Sequence, residues 1–560
     1  MLLAKPYASP WRYGVVFICL YVLSSQTHST VVDNLTIGNA RALSMANSVT
    51  ASPPGIDSTH FNPAGIAKLK ARQYSFKFFG AHFDFKTQFG KRSGAIDDCL
   101  DNRTCAFSQT YDDPYENSKS ATKQPSLMLP FVGLTEMPFK GIAAPVGGVS
   151  YSPIGSKFTI ATNVFVPMGA GYRRPDGDPG QYFGREFSLV RITYLSPTIA
   201  YQFNDHWSAG FGVHASWQGM GVDLDLRVPS FATAGADTLL TQLCDSNALS
   251  TIFTVCGGSI GPYETIANIR TEISDALSLS WNMGVLWEPN AWFAWGAVYR
   301  SEGKVDLKGD YTLEYTKNWS NLFGGLFDPQ RGNAATIELL NALQQVSTLD
   351  LPQGNAETGQ DVKRVETGTL TSTDLVSPAH FATGVSIKLV PKLTINFDVK
   401  WSDWDSWDDI HLVFDTDQID FLKVTALVPT QGLTGSNYLA LPRNYRNVWN
   451  WSIGFEYNYS GKLTLRSGYE HRKASIPADK QGLLVPVGSG YLAGIGFTYQ
   501  LKKYSAVDFA YGFYDTEEEV PAEASSNANA NSLIYNPYAG LSFKNESKAH
   551  ILSFNYNTFF

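Results

Sequence analysis

Charged residues and long apolar runs are both scarce in this chain. Asp, Glu, Lys and Arg make up 17% of the 560 residues, against about 25% in ordinary soluble domains. After residue 29 there is no stretch of about 18 apolar residues, the length that a membrane-spanning helix needs. The sequence therefore excludes a helical membrane protein, and its composition departs from that of a typical soluble protein.

Aromatic residues and glycine are plentiful instead. The chain contains 34 Phe, 28 Tyr, 13 Trp and 48 Gly, and its hydrophobic fraction is 44%. This combination suits a membrane barrel. The hydrophobic fraction of such a barrel is ordinary because half of each strand faces a wet lumen. The net charge of -8 provides no basic surface and argues against nucleic acid as a partner. A soluble all-β enzyme is the alternative that composition leaves open.

Residues 1–29 have the pattern of an export signal. Lys5 and Arg12 precede an apolar run at 15–23, and small polar residues follow it. The run is about half the length of a membrane-spanning helix, so it predicts a signal peptide rather than an anchor. We expect cleavage after Ser25 or Ser29.

The chain has five cysteines, one of which lies in the predicted signal. The other four form two close pairs, Cys99 with Cys105 and Cys244 with Cys256, in segments rich in Asp, Asn, Ser and Gly. Because exported chains meet an oxidising compartment, the spacing favours two disulfides that staple loops. A zinc site is the weaker alternative, since no histidine lies close to either pair.

Apolar and polar side chains alternate with period two through most of the remaining sequence. In 207–217, for example, Trp207 and Phe211 share one face, whereas Ser208 and His214 share the other. Fourteen segments of this kind predict an all-β fold, a 14-stranded antiparallel transmembrane β-barrel. They are 71–90, 142–152, 157–168, 189–204, 206–228, 266–288, 292–313, 363–390, 393–413, 447–459, 461–473, 488–502, 504–515 and 548–560.

The last strand ends the chain on an aromatic residue. In 550–560 the apolar face carries Leu552, Phe554, Tyr556 and Phe560. In a closed barrel the last strand pairs with the first, so it leaves no open edge. A final strand that ends on Phe resembles the C-terminal signal of bacterial outer-membrane barrels. This resemblance implies a monomer that the barrel-assembly machinery inserts into the lipid of the outer membrane of a Gram-negative bacterium.

Residues 30–70 do not follow the strand pattern. They are rich in small residues, and Asn62 is predicted to cap a short helix that has Pro63 in its first turn. A compact segment that leads directly into the first strand can fold back into the lumen as a plug, which an otherwise empty barrel of this size can use. An exposed periplasmic extension is the alternative.

Several short motifs occur in order along the chain. They are Gly38-Asn39-Ala40-Arg41-Ala42, Asp57-Ser58-Thr59, Asn62-Pro63-Ala64-Gly65, Tyr299-Arg300-Ser301, Asp398-Val399-Lys400-Trp401-Ser402-Asp403-Trp404 and Leu465-Arg466-Ser467-Gly468-Tyr469. Together with the export signal and the terminal Phe560, they resemble the FadL family (OmpP1/FadL/TodX-type outer-membrane transporters of hydrophobic compounds).

The resemblance implies a hatch at 30–70 inside a barrel at 71–560. It also implies passive uptake of hydrophobic molecules, mainly long-chain fatty acids, through capture by loops, a lumenal site gated by the hatch, and sideways exit at the third strand. Pro167 near the end of that strand favours weak pairing, because proline donates no ladder hydrogen bond. Uptake of aromatic hydrocarbons, and adhesion by the enlarged loops, are the alternatives.

Few residues are candidates for binding. A fatty acid needs an apolar trough for its tail and a cation or amide for its carboxylate. The predicted inward-facing cations are Arg300, Lys400 and Arg466. Structural ion pairs with nearby carboxylates are the alternative role for the last two. The resemblance assigns gating to Asn62, Pro63 and Ala64.

The remaining motifs do not predict chemistry. Gly257-Gly258-Ser259-Ile260-Gly261 matches a nucleophile pattern, but it lies in a predicted loop and lacks an identifiable triad. Trp404 and Trp407, which alternate with aspartates, are expected at the membrane interface. Diffusion down a gradient needs no energy source, so we expect no enzyme activity, no cofactor and no metal.

Overall fold

The computed structural model describes residues 34–93, 114–226, 265–319, 364–417, 419–422, 435, 437–530 and 537–560. Within these residues, fourteen antiparallel strands, several of them in two segments, follow one another around a closed barrel. The last strand pairs with the first from Gln73 opposite Phe559 to Arg92 opposite Leu541. Among the helices of these residues, none has the length and apolar character that crossing a membrane requires.

The barrel strands occur in the predicted order. They are β1 Ala71–Arg92, β2 Ile142–Ser152, β3 Phe158–Arg173, β4 Glu186–Leu195 with Thr198–Gln202, β5 Trp207–Leu226, β6 Ala267–Asn290, β7 Phe293–Arg300 with Gly303–Tyr315, β8 Arg364–Ser377 with His380–Val390, β9 Leu393–Ser402 with Asp409–Phe414, β10 Tyr438–Pro442 with Val448–Asn458, β11 Leu463–Arg472, β12 Ser489–Lys502, β13 Ser505–Val520 and β14 Leu541–Phe559. The prediction of a 14-stranded antiparallel barrel is confirmed, although β10, β13 and β14 are longer than expected.

Three short strands lie outside this cycle. Lys119–Ala121 pairs with the outer part of β1. Ser126–Leu129 and Gly133–Glu136 form a separate hairpin. Short 3-10 helices occur at Gln181–Phe183, Trp404–Ser406 and Ala478–Lys480.

The strand faces follow the alternation in the sequence. In β14, Leu552 and Phe554 are exposed on the outside, whereas Ser553 and Asn555, which alternate with them, are each 2% exposed. Exposed apolar side chains of this kind recur around the barrel and include Tyr74, Phe76, Phe78, Ile160, Ile199, Phe211, Leu279, Phe455, Leu465, Ile495, Phe497 and Tyr556. An outward apolar face and a polar inner face are the arrangement that a barrel in a bilayer requires.

Pairing is interrupted at β3. On one side, β3 pairs with β2 only from Ile160 to Val164. On the other side, its register with β4 shifts between Phe165 and Met168, where Pro167 lies. The described residues give the outer half of β3 a single bridge on the β2 side, Gln124 with Arg173. The predicted weak pairing near Pro167 is therefore confirmed.

Residues 34–70, which we call the hatch segment, lie against the inner faces of the strands. They form helix α1 (Ala40–Ser44), helix α2 (Ser58–Phe61) and the 3-10 helices Gly55–Asp57 and Pro63–Lys68. The hatch backbone approaches inward-facing glycines very closely. A Cβ on Gly468 would lie 2.2 Å from the carbonyl carbon of Met45, and one on Gly494 would lie 2.0 Å from the Leu43 oxygen. The small residues of these strands therefore make room for the hatch.

One expectation at the end of β9 is wrong. Trp404 and Trp407 are 1% and 6% exposed and pack on Tyr445, at ring distances of 6.3 and 5.8 Å. They belong to the interior and not to a membrane interface.

Other predicted features lie outside the described residues. These are the export signal at 1–29, the Gly257–Gly261 motif and the four paired cysteines, Cys99, Cys105, Cys244 and Cys256.

Candidate functional site

An apolar cavity lies inside the barrel, toward the end that carries the long connectors. It has a volume of about 130 Å³. The inward-facing side chains of the outer halves of several strands line it, among them Met168, Tyr172, Phe187, Leu189, Met220, Leu224, Ile269, Leu313, Leu412 and Phe414. Side chains in a strand point alternately to its two faces, so apolar residues at every second position of these strands produce the apolar cavity.

Two loop segments complete the cavity wall. The first segment contributes Phe421, whose backbone N–H donates to the Tyr315 hydroxyl at 3.1 Å. Asp420 of the same segment accepts from Arg364 at 2.5 Å. The second contributes Leu484, whose carbonyl accepts from the Tyr172 hydroxyl at 2.9 Å. Both segments are therefore fixed to barrel strands and cover the apolar cavity.

Among the described residues that line this cavity, one carries a guanidinium. Arg443 lines the cavity and is held by its backbone N–H, which donates to the Asp408 carbonyl at 2.6 Å. Burial raises the pKa of the neighbouring Tyr445, and the positive charge of Arg443 acts in the opposite direction. Within the described ranges, the Arg443 side chain forms neither a hydrogen bond nor an ion pair. A half-buried cation beside an apolar chamber can bind an anionic group whose tail occupies that chamber.

A second group of polar residues lies below the cavity. Along β4, Arg191 follows the cavity residue Leu189 on the same face, and it donates to the Ser280 hydroxyl at 3.1 Å. Arg300 on β7 lies in register between Asn282 on β6 and His380 on β8. Asn282 in turn donates to the Thr59 carbonyl of the hatch at 2.8 Å. We call this region, which lies between the cavity and the hatch, the polar chamber.

His60 of the hatch faces the polar chamber. Its Nε2 lies 2.9 Å from Asn34 Oδ1, and its ring packs on Phe165 of β3 at 4.8 Å. Burial holds the pKa of His60 well below its ordinary value, and the positive charge of Arg300 lowers it further. His60 is therefore neutral where the hatch contacts β3.

The hatch is joined to β1 and β3 by a buried charge cluster. Asp57 accepts from Asn39 of the hatch and from Asn163 of β3, each at 2.7 Å. The Lys77 ammonium of β1 forms an ion pair with the same carboxylate. Lys77 and Asp57 are 0% and 2% exposed.

The predicted hatch motif lies between two strands. Asn62 caps the 3-10 helix Pro63–Lys68 by accepting from the Ala64 N–H at 3.2 Å, which confirms the predicted cap. Its amide donates to the Thr50 carbonyl at 2.9 Å and to the Val285 carbonyl of β6 at 3.1 Å. Asn62 therefore links two parts of the hatch to the barrel wall.

The three predicted cations have different surroundings. Lys400 pairs with Glu470 at 2.9 Å, and Arg466 pairs with Glu456 at 2.6 Å. Glu456 also accepts from Arg41 of the hatch at 3.1 Å. Lys400 and Arg466 thus belong to ion pairs that reach the hatch, whereas Arg300 lies in the polar chamber.

Sequence reasoning missed three basic residues. Lys77 and Arg191 face inward by strand alternation, so counting the cations on that face could have found both. Arg443 follows a strand segment in an irregular connection, and no sequence pattern points to it. Only the closed barrel brings it opposite the cavity residues of β3 to β7.

A family model described as "Outer membrane protein transport protein (OMPP1/FadL/TodX)" matches residues 20–560. The "Long-chain fatty acid transport protein" of Escherichia coli O6:H1 (strain CFT073) is 22% identical over 407 residues, covering 72% of this chain and 74% of that protein. The "Outer membrane protein P1" of Haemophilus influenzae is 21% identical over 412 residues, covering 72% of this chain and 73% of that protein.

Solved structures have the same fold. The crystal structure of a Pseudomonas aeruginosa FadL homologue matches with a TM-score of 0.61 at 19% identity, covering 95% of this chain and all of that one. The Ralstonia pickettii toluene transporter TbuX matches with a TM-score of 0.54 at 14% identity, covering 94% and 99% of the two chains.

Proposed function

We propose a function from the premise that this chain belongs to the OMPP1/FadL/TodX family of outer membrane transport proteins. The chain is therefore an outer-membrane transporter of hydrophobic compounds in a Gram-negative bacterium. We infer that its principal cargo is a long-chain fatty acid, taken up without an energy source.

The observation that carries this inference is Arg443 in the wall of the apolar cavity. A fatty acid combines an apolar tail with one carboxylate, and the cavity combines apolar walls with one cation. Charge-assisted hydrogen bonds between a guanidinium and a carboxylate are among the stronger polar contacts. A neutral hydrocarbon cannot accept a charge-assisted hydrogen bond from this cation.

The route inward passes the polar chamber. A carboxylate that leaves Arg443 next meets Arg191 and Arg300, which lie deeper on the same inner face. Below them, the hatch blocks the lumen, so we infer that it must rearrange before cargo can pass. Asn62, Pro63 and Ala64 are the proposed gating residues, because Asn62 joins the hatch to β6.

We place the exit in the wall at β3. The outer half of β3 has little pairing toward β2, and its shifted residues are held by the hatch instead: Asn34 N–H donates to the Pro167 carbonyl at 2.9 Å, and the Thr36 hydroxyl donates to the Val166 carbonyl at 2.8 Å. Displacing the hatch would remove these bonds from a part of the wall that has few others. A sideways opening there would release cargo into the membrane.

Equilibrium binding tests the cargo directly. Labelled palmitate and toluene would be titrated against the purified barrel in a non-competing detergent. Arg443→Gln should weaken palmitate binding about tenfold or more, since a hydrogen bond to a charged group contributes about 1.5–3 kcal/mol, and should leave toluene binding unchanged. Arg446→Gln is the matched control, because Arg446 is an exposed arginine of the same connection that does not line the cavity. Equal palmitate affinity in the wild type and Arg443→Gln would remove the basis for this assignment.

Aromatic hydrocarbons are the second candidate. The cavity wall is rich in aromatic rings, including Tyr172, Phe187, Tyr311 and Phe414, and flat apolar ligands stack well on such rings. Saturable binding of toluene in the absence of palmitate binding would favour this cargo.

The closed sheet supports a monomer. Because β14 pairs with β1 over most of their length, the first and last strands leave no open edge between them for another chain. We infer that the barrel-assembly machinery inserts the chain as a single barrel in outer-membrane lipid.

A further inference from the structure

The outer surface of β1 to β5 carries a groove on the periplasmic side of the proposed exit at β3. Its volume is about 670 Å³, within the range of about 300–1,000 Å³ that is common for ligand sites. Side chains that face away from the lumen flank it, including Tyr74, Val149, Ile160, Leu195 and Phe211, each of them exposed. The groove therefore opens toward the membrane and not toward the lumen.

An interruption of β4 accounts for the groove. The two segments of β4 end at Leu195 and resume at Thr198, and Pro197 between them has no N–H for a ladder bond. The Ser196 hydroxyl donates instead to the Asn163 carbonyl of β3 at 2.7 Å. This local bond holds the chain at the interruption, and Leu195, Pro197 and Thr198 on its two sides line the groove.

A guanidinium lies at one end of the groove. Arg72 lines it, is exposed and lies over the Tyr151 ring at 5.6 Å. The Arg72 carbonyl accepts from the Phe560 N–H at 3.0 Å, so Arg72 lies at the rim where the chain ends and where the strand connections are short. That rim faces the periplasm in barrels of this class. Among the residues that the structure describes, no carboxylate lies within ion-pair distance of Arg72.

We propose that this groove is a binding site for one glycerophospholipid of the periplasm-facing leaflet, with an acyl chain in the groove and the phosphate on Arg72. The groove faces the hydrocarbon of the membrane, so bilayer lipid is the only ligand that reaches it without passing through the protein. Arginine pairs well with phosphate, and basic residues at the edge of the apolar band recognise lipid headgroups. The tyrosine ring beneath Arg72 holds the guanidinium at the interface.

The same rim provides a matched comparison. Lys503 lies over the Tyr504 ring at 5.1 Å, in the short turn between β12 and β13, two strands along the rim from β1. It has the charge and the aromatic support of Arg72 without lining this groove. The proposed site needs both the cation and the groove. Lys503 has only the first of these, so comparing it with Arg72 tests whether the groove matters.

Native mass spectrometry of the full-length barrel measures lipid retention. Dipalmitoylphosphatidylglycerol would be titrated into detergent-purified protein, with palmitate in a parallel series. We expect one lipid to bind the wild type, and Arg72→Gln to weaken that binding about fivefold, since one basic residue near the membrane surface contributes about 1 kcal/mol. Lys503→Gln should bind as the wild type does.

A second variant tests the groove independently of the charge. Val149→Trp fills the groove from an outward-facing position and should also reduce retention of the lipid, with unchanged heat-modifiable mobility of the folded barrel. The site is overturned if Lys503→Gln and Arg72→Gln lose the same amount of lipid binding. It is also overturned if Arg72→Gln and Val149→Trp both retain lipid as the wild type does. Retention of palmitate with no retention of the phospholipid overturns the choice of lipid. The inference depends only on the location in the membrane, so failure of the fatty-acid assignment leaves it unaffected.

Discussion

Lys77 and Asp57 form a buried ion pair that joins the first barrel strand to the hatch. The two residues are 0% and 2% exposed, and Asn39 and Asn163 complete the hydrogen bonding of the carboxylate. A buried pair of this kind adds little net stability but strongly disfavours arrangements that leave one charge alone. It therefore specifies where the hatch lies, next to the part of β3 that has the weakest pairing.

Breaking this pair should loosen the hatch. Asp57→Asn leaves the buried Lys77 charge without its partner, and such losses cost about 3–5 kcal/mol. Hydrogen exchange of the hatch amides should accelerate while the barrel strands remain protected. The double variant Lys77→Met/Asp57→Asn should recover most of the protection, because no charge is then left unpaired and an amide oxygen remains at position 57 as an acceptor. Full protection in Asp57→Asn alone would show that the pair does not position the hatch.

Gly468 should be intolerant of a single methyl group. A Cβ at this position would lie 2.2 Å from the Met45 carbonyl carbon and 2.6 Å from the Ala46 nitrogen, so Gly468→Ala should displace the hatch and increase leakage of small solutes. Gly461→Ala is the matched control, because nothing lies within 4 Å of a Cβ there. Solute flux through reconstituted barrels measures the effect. Equal flux in the two variants would contradict the close approach.

Asn62 performs two tasks that substitutions can separate. Asn62→Asp keeps the oxygen that caps the 3-10 helix but loses the donors to Thr50 and Val285, whereas Asn62→Ala loses both. Asn62 is fully buried, and a carboxylate there would face the Thr50 and Val285 carbonyl oxygens without a partner. We therefore expect uptake of labelled palmitate to fall in the alanine variant, which loses a cap of about 1 kcal/mol, and to fall further in the aspartate variant. Normal uptake with normal assembly in both would remove the hatch motif from the gating mechanism.

Hatch docking should weaken in acid through His60. Its folded-state pKa lies well below the ordinary value of 6.5, because of burial and then the nearby charges of Arg300, His214, His380 and Arg191. The undocked histidine binds more protons than the docked one below pH 6.5. The contribution of His60 to the stability of hatch docking is therefore complete above that pH and decreases as the pH falls. The free energy of hatch docking should fall by at most about 1.4 kcal/mol per pH unit.

Hatch hydrogen exchange between pH 7 and pH 5, corrected for intrinsic rates, measures this effect. His60→Gln keeps a polar partner for Asn34 and cannot gain the proton, so its protection should depend less on pH than that of the wild type. Identical pH dependence in the two proteins would assign the titration to other groups.

The architecture could be predicted from the sequence because barrel physics acts locally. Each strand must alternate apolar and polar residues to have one face in lipid and the other in the lumen. Asn62 and Pro63 likewise form a helix start from neighbouring residues alone. Such patterns determined the strands, the closing strand at Phe560 and the hatch motif.

Tertiary structure decided the site. Arg443 meets the cavity, and Asp57 meets Lys77 and Asn163, only because the sheet closes and the hatch folds back across it. These contacts join residues that are far apart in sequence, and no local period encodes them. Lys400 and Arg466 show both sides of this division. Alternation turned them inward beside carboxylates and gave ion pairs as an alternative role, whereas only the fold paired Lys400 with Glu470 and joined the Arg466 pair to Arg41 of the hatch.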